Sequence, residues 1–180
     1  ALPQTELVKD KGYEILYFTD SVDEFAIRML MKYKDKEFKS VSANDLNLES
    51  EEEKKELEQK ETESKDMLET MQKALDGKVA KVKLSGRLKS HPVCLSNEGD
   101  LSMEMAKTLN AMPGVDQPVQ AQTILELNPE HPIYQKLKTL DDEMLGKYSQ
   151  LLYNQALLIE GMPIADPVAF SNLICELMEA

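Results

Sequence analysis

The stretch DEMLGKYSQLLYNQALLIE, Asp142 to Glu160, decides how the rest of the chain is read. Leu145, Tyr148, Leu152, Ala156 and Ile159 recur at steps of three and four, while Met144, Leu151 and Leu158 repeat every seven. The predicted helix is therefore apolar over most of its girth. One neighbour cannot cover such a surface. Gly161 ends the helix in the C′ manner, Pro163 prevents its continuation, and Asp166 with Pro167 restarts the chain as N-cap and first helical residue. The second helix, running to Glu179, carries Phe170, Leu173, Ile174, Leu177 and Met178 as a narrower stripe. Two antiparallel helices make half a bundle, and a two-fold partner with the same surface completes it. The alternative is that both helices lie on a sheet of their own domain.

Working upstream, a sheet is predicted. Ala80, Val82 and Leu84 alternate with Lys81, Lys83 and Ser85 as a half-buried strand, and Val93 to Ser96 and Thr123 to Leu127 are further strands. Lys78, Lys81, Lys83, Arg87 and Lys89 are accordingly read as the wet face of a strand rather than an anion site. A helix over about Glu130 to Leu140 leads into the terminal pair. Between the strands, Leu101 to Met112 reads as a helix capped by Asp100, with Leu101, Met105, Leu109 and Met112 on one stripe and Met103 with Ala106 beside it. Methionine is flexible and polarisable, so this face suits either core packing or an adaptable surface for varied apolar partners.

Further upstream, Glu49 to Asp66 carries thirteen charged residues in eighteen, with Glu51/Lys55, Glu56/Lys60 and Glu61/Lys65 in the favourable order for helical pairs. This predicts a solvated helix, which gains Met67, Leu68, Met71 and Leu75 before Gly77 ends it. The first segment, Tyr13 to Phe18, is a continuous aromatic and β-branched run that predicts a strand buried on both faces. A helix with Ser21 and Glu24 at capping-box spacing and a short strand at Phe38 to Ser42 would complete a βαβ-like unit. Too small to bury its own sheet, it reads as the tail of a larger α/β domain. The expected fold is α+β: residues 1–66 as that tail with its charged connecting helix, and residues 67–180 as a small mixed domain closing in the two-helix element.

Composition excludes several functions. A formal charge of −12 repels phosphate backbones and anionic bilayers, leaving proteins as the leading class of partner. The longest apolar runs, Ile15 to Phe18 and Ala156 to Ile159, are four residues, far short of a membrane span. The chain starts at Ala1 with no secretory pattern, as a processed or excised piece would, and Cys94 and Cys175 alone form no disulfide framework, so a reducing cytoplasm is expected. The seven glycines are never closer than nine residues, so neither the dinucleotide fingerprint nor a P-loop is present. His91 and Cys94 have ligand-like spacing, but a structural zinc site needs four ligands and only His131 and Cys175 remain of those types. No catalytic residue and no metal site are expected. A small metal-dependent hydrolase using His91 and Cys94, and a purely structural adaptor, are the competing readings.

Several motifs, in order, resemble one family. Gly12 to Asp20 (GYEILYFTD) with Val22 to Phe25, Val82 to Leu88, Met105 to Lys107, Leu125 to Pro132, Gln155 to Leu158, and Asp166-Pro167 are similar to the end of the middle domain and the C-terminal domain of the heat-shock protein 90 chaperones, bacterial HtpG type. The resemblance implies a C-terminal fragment of an ATP-dependent homodimeric chaperone. ATP and magnesium would bind a domain outside this chain, so no cofactor is expected within it. It implies a dimer interface on the last two helices, at Leu145, Tyr148, Leu151, Leu152, Ala156, Ile159, Phe170, Leu173, Ile174 and Leu177. It also implies contact with unfolded or partly folded clients through Glu24 and Phe25 and through Leu101, Met105, Leu109 and Met112. The ending Leu177 to Ala180 departs from the tail that docks tetratricopeptide co-chaperones, so that partner is not expected.

Overall fold

The computed structural model describes residues 2–44, 46–114 and 117–179. Its centre is a three-stranded sheet of β3 (Lys81–Leu84), β4 (Val93–Glu98) and β5 (Gln122–Leu127) in the order β3-β5-β4. For this numbering, β1 (Lys32–Tyr33) and β2 (Lys36–Glu37) are a two-residue antiparallel hairpin upstream. The central strand β5 runs parallel to β3, pairing Leu125 with Val82, and antiparallel to β4, pairing Leu125 with Leu95. That register puts Val82, Leu84, Val93, Leu95, Leu125 and Leu127 into one buried cluster.

Helices cover that face. Leu68, Met71 and Leu75, from α4 (Lys65–Ala74) and its end, join Tyr134 and Leu137 of α6 (Pro132–Leu137) and Leu145, Tyr148, Leu152 and Ala156 of α7 (Asp142–Ile159) in the same core. Local chemistry sets the helix ends. His131 caps α6 by accepting from the Ile133 amide at 3.2 Å, with Pro132 behind it, and Asp141 caps α7 by accepting from the Met144 amide at 2.9 Å. Gly161, at φ 71°, lets the Met162 amide turn back to the Leu157 carbonyl at 2.9 Å, closing α7. Asp166 then accepts from the Ala169 amide at 2.9 Å and α8 (Pro167–Glu179) begins at Pro167, as the sequence predicts.

The charged helix is two helices. α3 (Glu51–Glu63) is closed by a capping box of Ser50 and Glu53 and buries no residue; Ser64 breaks it from α4, which begins to bury Leu68 and Met71. The predicted boundary between residues 66 and 67 therefore falls inside α4.

The first third differs most from expectation. Residues 13–18 form no strand, and Tyr13, Leu16, Tyr17 and Phe18 stand 60, 59, 62 and 45% exposed. A run apolar on both faces forms a buried strand only between neighbours, and among the described residues no strand pairs with it. Phe38 to Ser42 also forms no strand; β1 and β2 follow α2 (Asp23–Leu30) instead, and Ala43 makes an isolated parallel bridge to Asn97. Ser21 does not cap α2; the Asp23 carboxylate accepts from the Thr19 and Asp20 amides at 3.1 and 3.0 Å. A short first helix, α1 (Thr5–Asp10), buries Thr5, Leu7 and Val8 and is anchored to the loop before β4. Its Glu6 carboxylate accepts from the Lys89 and Ser90 amides, each at 3.0 Å, and Gln4 donates to the Leu95 carbonyl at 2.7 Å.

Candidate interaction surfaces

The sheet's second face is wet at Lys78, Lys81 and Lys89, as alternation predicts, but Arg87 is buried there and Lys83 half-buried, drawn to a buried carboxylate. Glu126, 1% exposed, accepts from Ser85 at 2.8 Å, from Ser96 at 2.7 Å and from Arg87 at 2.9 Å, with Lys83 at 3.4 Å. Burial pushes its carboxyl up, but the two cations and two hydroxyls outweigh it and hold the group below the ordinary carboxylate range. Arg87 also donates to the Val41 and Ala43 carbonyls at 3.0 and 2.9 Å, fastening the segment before α3 over this face. Arg87 and Lys83 are thus internal ties. Cys94 faces Glu126 at 3.9 Å, and its thiol is pushed well up by burial and then by that carboxylate. His91 turns the other way to Glu6 at 3.1 Å, so the two ligand-like side chains do not converge.

On the terminal pair, the structure divides the predicted interface residues. Leu145, Tyr148, Leu152 and Ala156 are buried at 3, 7, 2 and 1% exposure in the chain's own core. This corrects their assignment to a partner: the sheet and α4 already cover that stripe, as the alternative reading of the helices anticipates. Leu151 and Ile159, with Phe170, Leu173, Ile174 and Leu177, are half-buried. Leu177 touches the core, and Lys147 ties the helices by pairing with Glu143 at 2.9 Å on α7 and Glu176 at 2.7 Å on α8. Yet α8 buries no residue at all, and Leu158, Val168 and Met178 stand 54, 70 and 81% exposed. Leu158 and Met178 belong to the predicted stripes without being assigned to the interface; Val168 carried no signal beyond following Pro167, the first helical residue.

The second candidate surface joins two regions far apart in sequence. α5 (Met103–Asn110) is capped by Ser102, whose hydroxyl accepts from the Met105 amide at 3.1 Å; Asp100, the predicted cap, is exposed and lies 3.8 Å from Arg28 instead. The Ser102 hydroxyl also donates to Glu24 Oε2 at 2.6 Å, and Arg28 pairs with the other Glu24 oxygen at 3.2 Å. Glu24 and the Met-rich helix are thereby brought together. Phe25, Leu101, Met105 and Leu109 are half-buried, Met112 is 45% exposed, and Ala106 is the only buried residue of α5 among those described. At the end of α2, Met29, Leu30 and Met31 stand 83, 52 and 71% exposed.

Among the described residues, no helix is long and apolar enough to cross a membrane, and no group of three or more His, Cys, Asp and Glu side chains is placed to hold a metal ion. The sequence pattern of the Hsp90 protein family matches residues 1–180. Over 181 aligned positions the chain is 58% identical to the chaperone protein HtpG of Clostridium acetobutylicum, covering 99% of this chain and 28% of that protein. It is 55% identical to the chaperone protein HtpG of Bacillus subtilis strain 168, covering 98% of this chain and 29% of the relative. Against the protein of the same name from Oceanobacillus iheyensis it is 57% identical, with 98 and 28% covered. The chain thus spans less than a third of the length of these curated relatives. Matched from its first residue to its last and more than half identical to each of these bacterial proteins, the chain belongs to the Hsp90 protein family.

Proposed function

We propose that this chain is the part of an ATP-dependent chaperone that pairs with a second copy of itself and holds unfolded or partly folded client proteins. In this reading it has no catalytic site and no cofactor of its own, and ATP turnover belongs to a part of the longer protein outside this chain. It works in the cytoplasm, without nucleic acid, membrane or tetratricopeptide partners.

The observation that carries the reading is α8. A helix with a stripe of Phe170, Leu173, Ile174 and Leu177 that buries none of its residues leaves apolar surface facing water, and a self-complementary partner is the commonest way to cover it. With Leu145, Tyr148, Leu152 and Ala156 assigned to the core, the proposed interface consists of Leu151, Leu158 and Ile159 of α7 and the α8 stripe. Client contact is proposed for the α2 and α5 surface, where Met105, Leu109 and Met112 offer flexible apolar side chains. Light scattering tests the pairing: the chain is expected to have twice its monomer mass and a version ending at Gly161 the monomer mass. Monomers in both cases at micromolar concentration would contradict it.

A further inference from the structure

Glu24 and Met105 lie 81 residues apart in sequence, yet one hydroxyl connects them. Ser102 Oγ accepts from the Met105 amide at 3.1 Å while donating to Glu24 at 2.6 Å, and the Ser102 side chain is buried. A carboxylate acceptor makes the second bond the stronger kind. Little else fixes α5: it buries Ala106 alone among its described residues, Met103 touches the core, and its remaining polar contacts are exposed. Arg28, paired with both Glu24 and Asp100, reinforces the same junction at the start of the helix. A helix held by so few buried contacts depends heavily on its capping residue and on whatever holds that cap in place.

We infer that Glu24 is a positioning residue: through Ser102 it latches α5 against α2 and so sets where the methionine face stands, rather than touching the client itself. This rests on the proposed client surface, but the latch has a readout that needs no client. Glu24 spends one oxygen on Ser102 and the other on Arg28, which leaves its charge satisfied inside the protein.

The test uses the 180-residue chain and three substitutions. Ser102→Gly removes the donor while keeping an acceptable N-cap, Glu24→Ala removes the acceptor, and Glu24→Gln keeps an oxygen for the hydroxyl while losing the charge. Amide hydrogen exchange over Met105 to Asn110 is expected to quicken about tenfold in Ser102→Gly and in Glu24→Ala. The double variant should be no faster than either single one, and Glu24→Gln should be close to the parent. Exchange unchanged in Glu24→Ala, or additive in the double variant, overturns the latch. Retention of a reduced, unfolded model client is then expected to fall in Ser102→Gly and to survive in Glu24→Gln; the reverse pattern would make Glu24 a direct contact and overturn the inference. If charged replacements of Met105 and Leu109 leave client retention intact, the client surface itself is refuted, while the exchange result still decides the latch.

Discussion

Arg87 Nη2 lies 2.9 Å from Glu126 Oε1, with the side chains 6 and 1% exposed, on the sheet face opposite the one that carries Val82, Leu84, Val93, Leu95, Leu125 and Leu127 into the apolar core. A buried ion pair is stabilising only relative to one of its halves, because each charge left alone inside the protein is costly. Here the guanidinium also holds the Val41 and Ala43 carbonyls, so the pair fixes the segment that leads into α3 as well as the sheet. Glu126→Gln should lower stability by about 3 kcal/mol or more, since Arg87 and Lys83 lose the charge they share. Replacing Arg87 and Glu126 together by apolar residues should cost less than the sum of the single changes, as urea midpoints will show.

Glu6 makes acid stability a second readout. Burial raises its carboxyl, but donation from the Ser90 hydroxyl, the Ser90 and Lys89 amides and His91 takes it down to about 2 from an ordinary 4.5. A depressed carboxyl stabilises the fold above its unfolded value and loses that contribution as pH falls through the folded one. Glu6→Gln should therefore be less stable than the parent near neutrality, and the gap in urea midpoint should close between about pH 4.5 and pH 2. A gap that stays constant over that range would mean that α1 is held by other contacts.

How much of this was legible in the sequence depended on how local each signal is. The end of α7 and the start of α8 were readable because Gly161 and Asp166-Pro167 act on their own backbone. The core face of β3 was readable from alternation. Lys81 on its other face is exposed as alternation predicts, but the burial of Arg87 and Glu126 was not readable, because a charged side chain looks wet until something arrives to cover it, and here Val41 to Asn44 does so from forty residues upstream. The same holds for α7: periodicity showed that it has too much apolar surface for one neighbour, but not that the Leu145, Tyr148, Leu152 and Ala156 stripe is the one its own sheet covers. Tyr13 to Phe18 failed for a related reason, since strand formation is decided by pairing partners and not by the run itself. Asp100 and Ser102 both suit an N-cap, and only the geometry of Glu24 and Arg28 distinguishes them.

Gly146 is a helix-interior glycine where α7 passes α4. A Cβ built there meets the Ala74 Cβ at 3.6 Å, an ordinary contact, and the backbone is helical. Gly146→Ala should raise stability by about 1 kcal/mol through helix propensity, measured as a higher urea midpoint at unchanged slope. A loss would mean that the two helices approach more closely than this geometry allows.

Charged replacements at Met105 and Leu109 separate client holding from assembly. Both side chains are half-buried on α5 and neither belongs to the proposed α7 and α8 interface, so Met105→Glu with Leu109→Glu should weaken retention of an unfolded protein about tenfold or more while leaving molecular mass unchanged. Retention equal to that of the parent would place client contact elsewhere.

The self-association of α7 and α8 is tested most directly by sedimentation of the intact chain beside Leu173→Glu with Ile174→Glu. Both residues lie on the α8 stripe and outside the buried core, so the double variant should fold with the thermal transition of the parent's core. A species of twice 20.4 kDa is expected for the parent and of 20.4 kDa for the variant at micromolar concentration. A monomeric parent, or a variant that remains dimeric, would contradict it.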